Sequence, residues 1–302
     1  MTHPTISVSN LVRTFGSTRA LDGFSLAVEP GEIRGFLGPN GSGKSTTIRI
    51  LLGMLRAESG RAQVLGLDPW NDSVHIHRRI AYVAGDTALW PSLTGGEAID
   101  VLTRHWDSPR LTSRKEELLE RFELDPTKKT RTYSKGNRQK VALVAALSSD
   151  AELYFLDEPT SGLDPLMEAI FQDEVRKLKD EGRTVLLSSH ILAEVEKLCD
   201  SVTIIRAGKD VQTGTLQELR HLTRSRVTAT VSSDPASLLQ HPAVHDASID
   251  GDRMSFDIDD TDVNSILATL ADLGVRNVTI APPSLEEMFL RHYGDEIPEE
   301  TE

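Results

Sequence analysis

The sequence predicts an α/β domain, a mostly parallel sheet covered by helices, followed by a small α+β domain. Three observations carry this reading. A glycine-rich loop joins a strand-like apolar run to an amphipathic helix. Two more buried strands follow with a helix between them, and near residue 221 the pattern changes to short alternating strands in an acidic background.

Taken in order, residues 5–30 alternate apolar and polar positions ("ISVSNLVRTF", "ALDGFSLAVE") up to a turn at "EPGE", as half-buried antiparallel strands do. An antiparallel β-layer is expected there. "IRGFL" then runs into "GPNGSGKST", and the helix beyond places Ile48, Leu51, Leu52 and Leu55 at i, i+3, i+4 and i+7. Residues 95–150 read mainly as a helical subdomain that includes "RKEELLERFEL" and the run after "YSKGNRQK". "LYFL" and "TVLLS" read as buried strands, separated by the helix "PLMEAIFQDEVRKLKDEG" with glycine at its end. Residues 1–220 thus form one domain. From 221 to 294 come "VTATVS", a hairpin at Asp250-Gly251, the helix "VNSILATLADLG", the strand "NVTIA" and the helix "SLEEMFLRHYG". This βαββαβ-like order suggests a ferredoxin-like unit, closed by a short acidic tail at 295–302.

Composition narrows the classes. Of the 302 residues, 38% are hydrophobic, enough for a substantial core. No apolar run approaches the roughly 20 residues of a membrane span and no charged-then-apolar leader opens the sequence, so a cytosolic location is expected. The lone Cys199 excludes an internal disulfide, and His75 and His77, two apart, would face different sides of a helix. The formal charge of -13 is concentrated at the back, where residues 221–302 carry 16 Asp and Glu against 5 Lys and Arg. That balance lacks the broad basic surface nucleic-acid binding demands.

Gly38 to Ser45, "GPNGSGKS", fits G-x-x-x-x-G-K-[ST] between a strand and a helix, the setting of a phosphate loop. Gly41 and Gly43 would turn backbone N–H groups toward phosphate, Lys44 would supply a point charge, and Ser45 would hold Mg²⁺. Pro39, Asn40, Ser42 and Thr46 complete the nucleotide-binding stretch. "LYFLDEP" ends a strand in Asp157 and Glu158, where open α/β sheets place their ligands. Asp157 would bind Mg²⁺ through its shell and Glu158 would take a proton from attacking water, or the pair simply opens a solvated helix at Pro159. His190, closing "TVLLSSH", lies at the end of the neighbouring strand, where it could reach the γ-phosphate or, like most lone histidines, have no such role. "YSKGNRQK" alone leaves three readings open: nucleic-acid grip, solvated helix start, or phosphate site.

The ordered set of phosphate loop, "YSKGNRQK", "LYFLDEP", "SGLDP" and "SSH" resembles the ATPase subunits of ABC transporters over residues 5–215. The resemblance implies a P-loop NTPase fold, ATP and Mg²⁺ as cofactors, and a signature loop that contacts the γ-phosphate held by a second subunit. Ser134 and the N–H of Gly136 would then be phosphate ligands, with Lys135 and Asn137 departing from the usual glycine and glutamine. Lys135 would add positive charge beside that triphosphate. Ser134 as a plain helix cap is the alternative. Phe15 takes the place of the aromatic that stacks on adenine, or else fills core. Ser161, Gly162, Leu163 and Asp164 match the D-loop at the dimer interface. The usual Q-loop glutamine falls on Gly85, which has no side chain to coordinate anything; either Asp86 reaches the metal instead, or the link between hydrolysis and the partner is looser than usual. The same stretch, with "PSLEEMFLRHYG", is similar to ATPases of antibiotic and multidrug exporters, notably those of the tetronasin-resistance type.

Trp90 and Leu93 are candidates for a groove that receives a membrane partner's helix, or for core. The resemblance implies a homodimer or paired subunit, attached to the cytoplasmic face of the membrane through a separate polytopic permease. An ABC-type ATPase working on ribosomes or nucleic acid is the competing class, disfavoured by the single phosphate loop and the short span between Lys44 and Ser134.

Overall fold

The structure, a computed structural model, describes residues 3–106, 111–221, 224–231, 236–239, 241–259 and 262–281. The helix expected at 284–294 and the tail at 295–302 lie outside the described residues. The chain divides into two compact units, Met1–Gly214 and Thr215–Glu302.

In the first unit, β1 (Ile6–Phe15) and β2 (Thr18–Val28) form the expected antiparallel layer, joined on the other side of β1 by β4 (Ser59–Val64), which pairs Ile6 with Val64. The second sheet has the order β5-β6-β7-β3-β8-β9, formed by β3 (Ile33–Leu37), β5 (Ile80–Val83), β6 (Leu153–Asp157), β7 (Thr184–Ser188), β8 (Ser201–Arg206) and β9 (Lys209–Thr215). β5, β6, β7, β3 and β8 run parallel. Every residue of β3, β6 and β7 is buried, which is why β6 and β7 read as nearly continuous apolar runs instead of alternating ones, and β3 does so apart from its buried Arg34.

Helices α1 (Lys44–Leu51), α2 (Ser73–His77), α6 (Pro165–Asp180) and α7 (Leu192–Leu198) belong to this sheet. α1 stops at Leu51, short of the periodicity through Leu55, because Gly53 adopts φ 67 and turns the chain; Leu55 still packs against the core. Between β5 and β6 lie α3 (Gly95–Thr103), α4 (Leu111–Arg121), a 3-10 turn at Thr130–Thr132 and α5 (Lys135–Leu147). Thr94 and Glu97 form a reciprocal capping box on α3, and Asp164 caps α6 just before Pro165. Fully buried Glu174 of α6 binds Arg114 and Arg121 of α4, so a charge cluster ties the helical subdomain to the sheet's helices.

The second unit contains α8 (Leu216–His221), β10 (Ser225–Thr230), α9 (Ala236–Leu239), β11 (Val244–Asp250), β12 (Arg253–Ile258), α10 (Val263–Asp272) and β13 (Asn277–Ala281). The sheet order β11-β12-β10-β13, antiparallel throughout, is the ferredoxin-like arrangement of a βαββαβ unit. Its core gathers Val227, Leu238, Phe256, Ile266 and Leu270. On β11, at the sheet edge among the described residues, the register slips between His245 and Ser248, and Asp246 there has φ 48.

Phe24 of β2 meets Phe36 of β3 with ring centroids 5.5 Å apart, both fully buried, joining the antiparallel layer to the parallel sheet. Phe36→Ala is expected to lower the unfolding free energy by about 3–5 kcal/mol, read from urea denaturation followed by circular dichroism.

Candidate functional site: the C-terminal edge of the parallel sheet

The loop after β3 wraps over the start of α1. Gly43 sits at φ 116, a backbone state that side chains avoid, and a Cβ there would lie 2.7 Å from Ala20 O; Gly41 is at φ 80. Glycine is needed at 43 for both conformation and space. Pro39, Asn40 and Gly41 are exposed at the loop's crest, while Gly38 and Ser42 are buried beneath it. Lys44, 6% exposed, curls back so that its Nζ donates to Gly38 O at 2.5 Å and to Pro39 O at 3.1 Å. Burial lowers its pKa from the ordinary lysine value, and the charges of Glu158 and Asp157 oppose that shift. Ser45 is exposed and Thr46 half-buried in the first turn of α1.

Two strands away, β6 delivers Asp157 and Glu158 to the same edge. Asp157 is 8% exposed, and burial, with the neighbouring Glu158 charge, holds its carboxyl above the ordinary range against the pull of Lys44 and Arg49. Glu158 takes φ 47, uncommon outside glycine. Its N–H donates to Ser188 O at 2.8 Å and its carbonyl accepts from Ser161 N at 3.1 Å. His190, following β7, places Nδ1 3.5 Å from Glu158 Oε1. The structure therefore brings Lys44, Asp157, Glu158 and His190 to one place.

Behind His190, buried Glu194 accepts from Ser189 Oγ at 2.8 Å and from Thr160 Oγ1 at 3.4 Å, bridging the segments that carry His190 and Glu158. Burial raises its carboxyl above the ordinary glutamate value. Sequence reasoning missed it, because a glutamate in the first turn of a helix reads as a solvated residue.

At the start of α5, Ser134 Oγ accepts from Asn137 N at 3.2 Å and caps the helix. Gly136 lies against the Ser161–Asp164 turn, where a Cβ would come within 2.4 Å of Gly162 O. Lys135, read from sequence as charge available to another chain's triphosphate, is engaged within its own chain: Nζ donates to Ser161 Oγ at 2.7 Å. Leu163 N donates to Thr160 O, and Asp164 Oδ1 accepts from Leu166 N and Met167 N, so this turn is held at both ends.

Phe15 is 46% exposed with the Arg13 guanidinium 4.9 Å from its ring centroid, which removes the core-filling alternative. Gly85 rests on the carboxylate strand, with a Cβ position 3.2 Å from Asp157 O; Asp86 is exposed. Beside this loop opens an apolar groove of about 320 Å³ lined by Met54, Tyr82, Thr87, Leu89, Leu102 and Trp106 among others. Trp90 and Leu93 are not part of that lining. Their carbonyls accept from Thr130 Oγ1 and Thr130 N, respectively. Gln139, 1% exposed, was also missed, although Gln139, Leu143 and Ala146 at i, i+4 and i+7 put a polar residue on the buried face of α5.

A family model described as "ABC transporter" matches residues 21–161, and one described as "ATP-binding protein DrrA1-3-like, C-terminal domain" matches 214–293. The chain is 34% identical to the daunorubicin resistance ATP-binding protein DrrA3 of Streptomyces coeruleorubidus, with 98% of both chains covered. It belongs to the family of ABC transporter ATP-binding proteins. ATP hydrolysis is the activity of that family's ATPase domain. The daunorubicin/doxorubicin resistance ATP-binding protein DrrA of Streptomyces peucetius is also 34% identical, over 96% of this chain and 93% of its own. Among solved structures, an ATP-binding subunit of an ABC transporter superposes with a TM-score of 0.69 at 30% identity, covering 72% of this chain and 92% of its own. A dimeric bacterial ABC transporter cassette gives 0.63 at 26% identity, covering 70% and 98%. No helix among the described residues is long and apolar enough to cross a membrane.

The raised carboxyl of Asp157 has a thermodynamic sign. Between the ordinary Asp value and the raised one, the folded ABC protein keeps a proton that the unfolded chain has released, so stability falls as pH rises through that window. Asp157→Asn should therefore unfold at higher urea than the parent at about pH 7 in EDTA, the difference vanishing near about pH 3, below the ordinary value.

Proposed function

We propose that this chain is the ATP-hydrolysing subunit of an exporter for drug-like or antibiotic cargo, acting through a separate polytopic permease from the cytoplasmic face of the membrane. The export reading is supported by the full-length similarity to two proteins named for daunorubicin resistance. The observation that carries the chemistry is the meeting of Lys44, Asp157, Glu158 and His190 at one sheet edge.

In this reading the β- and γ-phosphates displace the Gly38 and Pro39 carbonyls from Lys44 and lie on the N–H groups of residues 41–46, at the positive end of α1. Oxygen donors fit Mg²⁺: Asp157 and Ser45 would hold it. Two protein donors are few for this ion, so phosphate oxygens would supply further ligands. Bound there, Mg²⁺ neutralises phosphate charge. Glu158 accepts the proton of the attacking water, and His190, held beside it, donates to the γ-phosphate. Phe15, exposed and flat, stacks on adenine. Two chains close head to tail, with Ser134 and the Gly136 N–H of one reaching the γ-phosphate on the other. The groove beside Tyr82 and Trp106 takes a helix of the permease. Because each site is complete only in the closed pair, nucleotide drives closure by binding that state better, and hydrolysis releases it.

Glu158→Gln should lower kcat by roughly 10²–10⁴-fold while ATP-bound dimers persist in light scattering after size exclusion; near-parental turnover would contradict the assignment. Asp86→Ala should lower the ATPase rate and raise the Mg²⁺ needed for half-maximal activity, with Gly85→Gln shifting the same dependence. Kinetics unchanged from the parent in both variants would remove Asp86 from the site.

A further inference from the structure

We infer that Gln139 is a positioning residue that holds Glu158 in its working conformation and links it to the wall of the apolar groove. The inference rests on the role of Glu158 proposed above and extends it to a residue of the "YSKGNRQK" stretch to which the sequence assigned no role.

Gln139 lies on the buried face of α5 and is 1% exposed, yet its amide is well supplied with partners. Nε2 donates to Pro159 O at 3.1 Å, with Ala84 O at 3.4 Å as a longer acceptor, and Oε1 accepts from Thr87 Oγ1 at 2.8 Å. Two backbone carbonyls can only accept, which fixes the NH₂ end toward them and leaves the carbonyl end for the threonine. Ala84 and Thr87 both line the groove. Pro159 follows Glu158 directly. One side chain thus spans from the groove wall to the turn that carries the carboxylate.

That turn needs holding. A glutamate at φ 47 persists only where its surroundings over-determine it. Glu158 N is pinned to Ser188 O, Ser161 N is pinned to Glu158 O, and the Gln139 amide fixes the carbonyl of Pro159, the next residue. The loop at Gly85 also rests on Asp157 O, but it has no side chain with which to act at a distance. With glutamine absent at 85, Gln139 supplies a side-chain connection between the two loops, from the helix side and without touching phosphate.

The test uses the full chain, with Gln139→Met keeping length and apolar fit while removing both ends of the amide. Expected are a roughly tenfold lower kcat, a KM for ATP within about twofold of the parent, and faster amide hydrogen exchange of residues 158–163 in the nucleotide-free protein. Thr87→Val, which removes one link, should give a smaller loss, and the double variant should be no slower than Gln139→Met alone. A folded Gln139→Met with parental kcat, or with its loss in KM alone, overturns the inference, as does unchanged exchange at 158–163. Should Gln139→Met not fold, Thr87→Val with parental kcat and exchange overturns it equally. Glu158→Gln run in parallel separates the cases: if it keeps full turnover, the role of Glu158 has failed, and exchange at 158–163 alone then decides whether Gln139 holds this turn.

Discussion

A lysine kept out of water and a pair of adjacent carboxylates face the same small space, and the rest of the first unit is arranged around that unfinished charge balance. Lys44 satisfies itself for the moment on two carbonyls of its own loop, while Asp157 is buried beside a second acid. Neither arrangement is one that burial favours, and an anion beside Lys44 would relieve the first as a cation beside Asp157 would relieve the second. Parallel strands make the meeting possible. β3 and β6 flank β7 and point the same way, so their C-terminal ends open onto one edge and the chemistry at each end is shared.

Around that edge the chain uses close backbone approach instead of bulk. Gly43 lets the phosphate loop pass against Ala20 of the antiparallel layer, and Gly136 lets α5 begin against the Gly162 carbonyl. Lys135 then reaches across to Ser161, so the start of α5 and the turn before α6 are joined by both a steric fit and a hydrogen bond. Displacing one of these segments requires breaking that bond or carrying the other along.

What sequence makes legible here follows from what constrains it. Phosphate chemistry dictates residue type at fixed spacing, so Gly38–Ser45, Asp157 and Glu158 stand out at once. The three strands buried on both faces, β3, β6 and β7, stand out as apolar runs. β4 did not, because "SGRAQV" is mostly exposed and owes its strand character to pairing with β1. β8 and β9 passed unassigned although β8 is nearly all buried. Gln139 and Glu194 escaped for a different reason: helical spacing shows that Gln139 is buried, but neither it nor a first-turn glutamate names the partners, Pro159 O and Thr87 Oγ1 for the one and Thr160 Oγ1 and Ser189 Oγ for the other. The apolar groove beside Tyr82 was not legible because its walls come from segments far apart in the chain. Phe15 was ambiguous until its exposure was known, since an aromatic at the end of a strand suits core and ligand equally.

The irregularity on β11 bears on how the small unit behaves in a crowded solution. An outermost strand with its ladder groups free invites a stranger to add itself, and a flat, unbroken one invites it most. Between His245 and Ser248 this strand loses step, and Asp246 sets a carboxylate and a left-handed kink in the gap. A visiting chain could match the first few groups of this strand, an edge among the described residues, and would then fall out of alignment against a negative charge.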